Sequence, residues 1–190
     1  IPGIDLPQVN PCWTLADARQ IMELAKPGAR VLLMGAGFIG CIILEALATR
    51  GVQLSVVEMQ DRMVPRMMGE GAGGMIKRWV ENKGIAVYTS TRVESIRVGA
   101  PLTVRLSNGK ELAVDLMIAA AGVLPNIAFL AGSGIECRQG VLTDERLQTN
   151  VPGVYAAGDC AEAFDMITGT SIVSAIQPNA ADQAYCAGMN

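Results

Sequence analysis

The first residues that could carry chemistry form the hexapeptide Gly35-Ala36-Gly37-Phe38-Ile39-Gly40, which directly follows an apolar run. In a G-x-G-x-x-G pattern, the first glycine permits a tight turn and the second lets the backbone approach a pyrophosphate. The third glycine allows the following helix to pack closely on the preceding strand. Because the start of a helix offers free N–H groups and a favourable dipole to an anion, the hexapeptide predicts a site for the phosphates of a dinucleotide.

An acidic residue stands where such a site needs one. Glu58 follows the apolar run 53–57, about 20 residues after the glycines, which is the spacing of an acid that binds ribose hydroxyls. A carboxylate pairs with a free 2′-hydroxyl and repels a 2′-phosphate, which favours NAD(H) over NADP(H). The alternatives are an exposed charge at the end of a strand and a plain glycine turn. Arg62 and Arg66 lie just downstream; solvated loop charges explain them more simply, although Arg66 stays a candidate for a phosphate contact.

Two further segments end in residues that suit a ligand. Ala121-Gly122 follows an apolar strand, and its glycine marks a backbone position that another group approaches closely. Gly158-Asp159 follows the segment 154–157 and could bring a carboxylate to a sugar or ribityl hydroxyl. A strand-to-loop corner at Gly122 and a turn capped by Asp159 are the simpler alternatives.

The elements that must position these residues alternate between strand and helix. Apolar periodicity predicts helices over 14–25, 38–49 and 71–83, and buried strands over 30–34, 53–57, 85–89 and 115–121. Such repeated units predict a parallel sheet with right-handed crossovers. The cluster Gly69-x-Gly71-x-Gly73-Gly74 follows no strand, so we expect it to lead into a helix and not to form another phosphate loop.

The pattern changes between residues 93 and 114. Three short alternating runs, 93–98, 102–106 and 111–114, are joined by turn residues that include Asn108-Gly109, a strong hairpin signal. They predict a three-stranded antiparallel meander in place of a crossover helix. After Gly122 the signals are fewer, and they predict a strand over 154–157 and a helix over 177–187.

Composition excludes several functions. The 190 residues contain no histidine, which excludes a Ser-His-Asp triad and a His-ligated metal, and we predict no metal site and no catalytic side chain. The formal charge of −3 argues against nucleic acid as a partner, and no apolar run approaches the roughly 18 residues of a membrane span. Five scattered cysteines without a Cys-x-x-Cys pair favour a reducing cytoplasm.

Together these motifs resemble the FAD- and NAD(P)-dependent pyridine nucleotide–disulfide oxidoreductases, in particular the branch of NADH oxidases, ferredoxin and rubredoxin reductases and nitrite reductases. The resemblance rests on Gly35–Gly40 with Glu58, the inserted meander, Ala121-Gly122-x-x-Pro125-Asn126, and the run from Thr149 to Gly158-Asp159. It covers essentially the whole chain. It implies that the Gly35 region and Glu58 hold NAD(H), that Gly158-Asp159 contact FAD, and that Gly122 lies near the nicotinamide nucleotide.

The resemblance also implies a fold and a division of the chain. We expect an α/β protein with a three-layer Rossmann-like parallel sheet, an inserted three-stranded antiparallel meander, and partial segments of an FAD domain. Residues 1–28 would be a flanking segment of the FAD domain, 29–121 would form the NAD(H)-binding domain, and 122–190 would be an incomplete second portion of the FAD domain. The first FAD fingerprint of the family is missing, which predicts a piece of a longer protein. Ile42 stands where many members have a glutamate, so the nicotinamide is held differently or the flavin chemistry is altered.

Two functional hypotheses follow from this resemblance. The first is an oxidoreductase in which hydride passes from NAD(P)H to FAD and on to an unidentified acceptor, either a small molecule or a small redox protein. The second is a catalytically incomplete module that binds NAD(H) without turnover. A short-chain dehydrogenase is excluded, because none of the three tyrosines is followed four residues later by lysine. A homodimer stays open.

Overall fold

The computed structural model describes all 190 residues and divides them into two compact units, Ile1–Gly122 and Val123–Asn190. The first unit contains β1 (Val9–Pro11), α1 (Leu15–Leu24), β2 (Arg30–Met34), α2 (Phe38–Thr49), β3 (Gln53–Val57), α3 (Glu70–Glu81), β4 (Ala86–Tyr88), β5 (Val93–Arg97), β6 (Leu102–Leu106), β7 (Glu111–Val114) and β8 (Leu116–Ala119). The predicted alternation of strands and helices is therefore confirmed.

Five parallel strands form the central sheet of this unit, in the order β1-β8-β2-β3-β4. The chain leaves β2 towards β3 and β4 on one side, and it returns as β8 on the other side of β2. The strand order therefore reverses between β2 and β8. In open parallel sheets, ligands bind outside the carboxyl ends of the strands at such a reversal, which is where the glycine-rich hexapeptide follows β2.

Each face of the parallel sheet is covered by a different layer. One hydrophobic cluster joins the strands to α1, α2 and α3, with Leu33, Val56 and Ile118 as fully buried members. The other joins Leu32 and Met117, which are also fully buried, to the antiparallel sheet β5-β6-β7. Burying an aliphatic side chain of this size contributes about 1.5–3 kcal/mol. The three layers and the predicted meander are thus confirmed.

The start of α1 is fixed by a capping box. The Thr14 hydroxyl accepts a hydrogen bond from the Asp17 N–H at 3.1 Å, and the Asp17 carboxylate accepts one from the Thr14 N–H at 2.8 Å. The backbone N–H groups of Thr14 and Trp13 hold the pKa of Asp17 below its usual value. The strand β1 just before this helix was not predicted. It is three residues long, too short for a periodic signal, and its Pro11 lies on the edge strand, where a missing N–H is tolerated.

An ion pair joins the amino ends of β2 and β8, at the edge of the sheet away from the glycines. The Arg30 guanidinium donates to the Asp115 carboxylate from two nitrogens, at 2.9 and 2.6 Å, and the Arg30 N–H donates to the same group at 2.9 Å. These hydrogen bonds from the Arg30 side chain hold the pKa of Asp115 below its usual value. A carboxyl whose pKa is lowered on folding contributes stability above its unfolded pKa of about 3.9 and loses it as the pH falls through its folded pKa.

Replacing Asp115 by asparagine is therefore expected to lower the melting temperature by a few degrees at pH 7. The difference between wild type and Asp115→Asn should shrink as the pH falls below about 4, because the wild-type carboxyl is then protonated too. Thermal unfolding followed by circular dichroism between pH 3 and pH 7 measures both effects. Asp5→Asn, which changes an exposed carboxylate, is the control, and a difference that stays constant with pH would contradict the role of the ion pair.

The second unit contains a small sheet and one α-helix. Its elements are β9 (Val141–Leu142), β10 (Ala161–Asp165), β11 (Thr170–Val173) and α4 (Gln177–Met189), with 3₁₀ turns at Ala128–Leu130 and Gly158–Cys160. The strand order is β11-β10-β9, in which β10 pairs antiparallel with β11 and parallel with β9. The predicted C-terminal helix is confirmed, with Pro178 in its first turn, where the missing N–H of proline is tolerated.

The strand predicted over 154–157 is wrong. Only Tyr155 forms a bridge, opposite Gln148. The facing segment is a tight turn in which the Asp144 carboxylate accepts hydrogen bonds from two following N–H groups and Leu147 has a φ of 65°. A ladder of β-sheet hydrogen bonds cannot propagate along so short a partner.

None of the four α-helices is long and apolar enough to cross a membrane.

Candidate nucleotide-binding site

The turn from β2 into α2 brings two loops into contact. Gly35 has a φ of 102°, a backbone conformation that L side chains rarely adopt. A Cβ atom at this position would overlap the carbonyl oxygen of Ala120, which follows β8. The turn after β2 therefore lies directly against the turn after β8, at the point where the strand order reverses.

The two other glycines of the hexapeptide have different surroundings. Gly40 lies in the first turn of α2, where a Cβ atom would overlap the carbonyl oxygen of Gly35, so this glycine allows the helix to pack on the turn. Gly37 is the N-cap residue, and no atom lies within 4 Å of the position that its Cβ would take. No side chain caps the helix, so the first N–H groups of α2 are free for an anion.

The glutamate after β3 is joined to this turn. Glu58 is only 8% exposed, so the alternative of an exposed charge at the end of a strand is wrong. Its Oε2 accepts a hydrogen bond from the Ala36 N–H at 2.8 Å, and its Oε1 accepts one from the Gln60 N–H at 2.8 Å. Each carboxylate oxygen has two lone pairs, so both can also accept a hydrogen bond from a ligand hydroxyl.

The two arginines downstream are in different situations. Arg62 is committed to its own loop, because its guanidinium donates to the carbonyl oxygen of Met68 at 2.8 Å and to the carboxylate of Asp61 at 2.7 Å. The side chain of Arg66 is exposed and makes no hydrogen bond or ion pair within the chain. Of the two, Arg66 is the one free to meet a phosphate.

A small apolar cleft lies beside the glycine turn. It is lined by Cys12, Trp13, Ile39, Ala119, Ala120 and Gly122. Gly122 has a φ of 118° and open space around it. Cys12 and Trp13 were missed by the sequence interpretation, and the signal that could have found them is the capping box beginning at Thr14. A helix that starts directly after a parallel strand places that junction at the carboxyl edge of the sheet.

The thiols near the turn are poorly suited to redox chemistry. Burial raises the pKa of Cys41, and the negative charge of Glu58 raises it further. Burial, followed by the charge of Asp17, raises the pKa of Cys12. Reactive cysteines have a lowered pKa, so these two thiols are expected to stay protonated at neutral pH.

The remaining candidates, Gly158 and Asp159, lie in the second unit. Gly158 has a φ of 81°, and its N–H donates to the side-chain oxygen of Gln183 in α4 at 2.8 Å. Asp159 is exposed and its carboxylate makes no hydrogen bond within the chain, which leaves it free for a ligand hydroxyl.

Two apolar residues of α2 in the first unit, Phe38 and Ile42, are more than half exposed.

A buried carboxylate in the second unit was not predicted. Glu162 is 5% exposed, and its Oε2 accepts hydrogen bonds from the N–H groups of Gln139 and Gly140, at 2.9 and 3.0 Å. This contact ties β10 to the loop before β9. Nothing in the sequence around Glu162 signals it, because the partners lie more than 20 residues away.

The chain is similar to known proteins over most of its length. A family model described as pyridine nucleotide-disulphide oxidoreductase matches residues 1–188. The chain is 36% identical, over 192 residues, to the epsilon subunit of NADH-dependent phenylglyoxylate dehydrogenase from Aromatoleum evansii, covering 100% of this chain and 45% of that protein. It is 36% identical over 154 residues to rubredoxin-NAD(+) reductase from Acinetobacter baylyi, covering 78% of this chain and 39% of the relative.

The fold of the chain is also similar to that of solved structures. The water-forming NADH oxidase from Lactobacillus brevis, determined with NADH bound, superposes with a TM-score of 0.91 at 28% identity. The match covers 100% of this chain and 42% of that one. The chain thus spans less than half the length of the relatives that it matches. With the family model matching nearly every residue, the chain belongs to the pyridine nucleotide-disulphide oxidoreductase family.

Proposed function

We propose that the chain binds NAD(H) at the carboxyl edge of its parallel sheet and forms the NAD(H)-binding part of a flavin-dependent oxidoreductase. In that enzyme, hydride passes from NAD(P)H to FAD and on to an electron acceptor. The observation that carries the proposal is the hydrogen bond between the Glu58 carboxylate and the Ala36 N–H. It joins the acid that would bind the ribose to the turn that would bind the phosphates, within one preformed site.

Each part of the site has a distinct task in this proposal. The free N–H groups at the start of α2 hold the pyrophosphate, and Gly37 leaves the space for its approach. The Glu58 carboxylate accepts the ribose hydroxyls and repels a 2′-phosphate, so that NADH binds more tightly than NADPH. Arg66 is a further phosphate contact, and Ala121 and Gly122 face the nicotinamide end beside the apolar cleft.

The second unit would contribute to the flavin site. FAD supplies the chemistry by taking up the hydride and releasing electrons to the acceptor. Gly158 and Asp159 would hold it, because the Asp159 carboxylate is exposed and unpaired and can accept hydroxyl hydrogen bonds. The domain assignment is part of the proposal: 29–121 for NAD(H), 1–28 as a flanking segment of an FAD domain, and 122–190 as the second portion of that domain. Within 1–28, the elements β1 and α1 pack on the parallel sheet of the first unit. No side chain of the chain needs to act as an acid or a base.

The acceptor is proposed to be a small molecule or a small redox protein. The second option is favoured by the relative that is named as a reductase of rubredoxin. The alternative function, NAD(H) binding without turnover, is favoured by the presence of only one G-x-G-x-x-G turn between a strand and a helix. A cytoplasmic location and a homodimer stay predictions.

The visible spectrum and the NADH affinity of the purified chain test these proposals together. A yellow protein that oxidises NADH would support turnover and rule out the binding-only alternative. A colourless protein that binds NADH would support NAD(H) binding without turnover. A protein that binds neither NADH nor FAD would overturn both functions.

Replacing Gly37 by alanine separates nucleotide binding from folding. The added methyl group meets no atom of the protein, so we expect the melting temperature to change by a few degrees at most. The methyl group would occupy the space of the pyrophosphate, and we expect the Kd for NADH to rise roughly tenfold, or about 1.4 kcal/mol. Fluorescence titration with NADH measures the effect, with Gly71→Ala, which is equally unobstructed, as the control. Equal affinities of Gly37→Ala and wild type would place the pyrophosphate elsewhere.

A further inference from the structure

One glycine in α3 is required by a contact, although it lies outside the proposed nucleotide site. Gly73 is buried, and a Cβ atom there would lie 2.7 Å from the carbonyl oxygen of Met63 and 2.9 Å from the Cβ of Arg62. The neighbouring glycines are different. A Cβ at Gly71 would meet no atom within 4 Å, and one at Gly74 would meet only the tip of the Arg78 side chain at 3.6 Å.

The contact at Gly73 falls on a strained part of the chain. Met63 is fully buried, and Val64 has a φ of 50° at 7% exposure. A β-branched residue in the left-handed region is strained, and such strain persists only where the surrounding structure determines it fully. The Met63 carbonyl is held against α3 on one side. The contacts of Val64 must therefore hold this strained segment on its other side.

Val64 contacts the glycine-rich turn. Its N–H donates to the carbonyl oxygen of Ala36 at 2.8 Å, while the Ala36 N–H donates to Glu58 at 2.8 Å. Both peptide groups that flank Ala36 are therefore bound by the segment from Glu58 to Val64. Gly73, Met63, Val64, Ala36 and Glu58 form one continuous series of close contacts.

We propose that Gly73 is a positioning residue for NAD(H) binding. The absence of a side chain lets α3 seat the Met63 carbonyl, so that Val64 keeps the Ala36 peptides where Glu58 and the start of α2 can bind the nucleotide. A methyl group at Gly73 pushes the Met63 carbonyl, and the strained Val64 cannot absorb the displacement in a close-packed interior. The shift reaches Ala36 and the carboxylate of Glu58. The inference rests on the proposed function, because it concerns the same NAD(H) site.

Gly73→Ala and Gly74→Ala form a matched pair of variants in the full chain. Both replace glycine by alanine inside the same helix, so both gain the same helix propensity. We expect Gly74→Ala to bind NADH as wild type does. We expect Gly73→Ala to bind NADH about three- to tenfold more weakly and to discriminate less between NADH and NADPH, because the Glu58 carboxylate is displaced. A purely structural role would lower the melting temperature and leave that ratio of affinities unchanged.

Each result of the NADH titration either supports or overturns the inference about Gly73. Wild-type affinity and selectivity in a folded Gly73→Ala would overturn this inference and leave the proposed function intact, whereas a wild type that fails to bind NADH would overturn both. If Gly73→Ala does not fold, amide hydrogen exchange of the wild-type chain tests the same coupling. Coupling between two sites is reciprocal, so NADH binding should stabilise the segment that Gly73 contacts. NADH should then slow exchange at Val64 and Gly73 more than at Val104 in the antiparallel sheet. Equal protection at the three amides would overturn the inference.

Discussion

Replacing Gly35 by alanine is expected to abolish NADH binding and to lower the melting temperature of the chain by about 10 °C, the equivalent of roughly 3 kcal/mol. Two costs add at this position. The φ of 102° is unfavourable for any L side chain, and the new methyl group would overlap the carbonyl oxygen of Ala120. Relief of that overlap must separate the turns after β2 and β8, which removes the binding surface at the reversal of strand order.

Gly28→Ala is the matched control for this variant. Gly28 also has a positive φ, of 81°, but no atom lies within 4 Å of the position of its Cβ. Only the backbone strain is expected there, with a smaller loss of melting temperature and unchanged NADH binding. Thermal unfolding and NADH titration of the two variants separate strain from the overlap. Equal behaviour of Gly35→Ala and Gly28→Ala would show that the contact with Ala120 has no role.

The second large effect is expected at Glu58. Replacement by alanine removes the carboxylate that would bind the ribose hydroxyls and leaves the N–H groups of Ala36 and Gln60 without their acceptor. Hydrogen bonds to a charged group are worth about 1.5–3 kcal/mol, so the Kd for NADH should rise about 30-fold. The affinity for NADPH should fall less, because its 2′-phosphate no longer meets a negative charge. Equal losses for the two nucleotides would mean that the ribose assignment is wrong.

Glu58→Gln and Glu45→Ala complete this comparison. Glutamine keeps the shape of the side chain but has one acceptor oxygen, so its NH₂ group must face one of the two N–H donors. We expect it to lose nearly as much NADH affinity as alanine does. Glu45 is an exposed residue of α2, and its replacement should leave the affinities for NADH and NADPH unchanged. Isothermal titration calorimetry with both nucleotides measures the whole series.

Much of the first unit could be predicted because its signals are local. The periodic stripe of α3 and the buried runs of β2 and β3 are long enough to show their period, and Asn108-Gly109 marks the hairpin between β6 and β7. The strands β1, β9, β10 and β11 were missed. Two of them, β1 and β9, have three residues or fewer, and β11 is an edge strand with an exposed apolar residue, Ile172. The pairing of β1 with β8 and of β9 with β10 depends on partners distant in sequence, which no local pattern reveals. The strands β10 and β11 form a local hairpin with Asp165 opposite Thr170, and the sequence interpretation missed it.

The candidate site, like the fold, could be predicted from the sequence only in part. The glycine spacing and the acid after β3 were read from the sequence, because close approach of the backbone and an acid at a strand end each require a particular residue type. The hydrogen bonds of Ala36 to Glu58 and Val64 could not be read, because any residue can supply a backbone N–H or carbonyl. The requirement for Gly73 is hidden for the same reason, since only the folded chain places Met63 against α3.

The most direct test of the central claim is an amide NMR titration of the isotopically labelled chain with NADH. If the nucleotide binds at the start of α2, the resonances of Gly37, Phe38, Ile39 and Gly40 should shift most, together with that of Gln60, whose N–H donates to Glu58. Resonances of β5, β6 and β7, on the far layer of the unit, should stay in place. Saturable NADH binding that leaves the amides of Gly37–Gly40 unshifted would contradict the account.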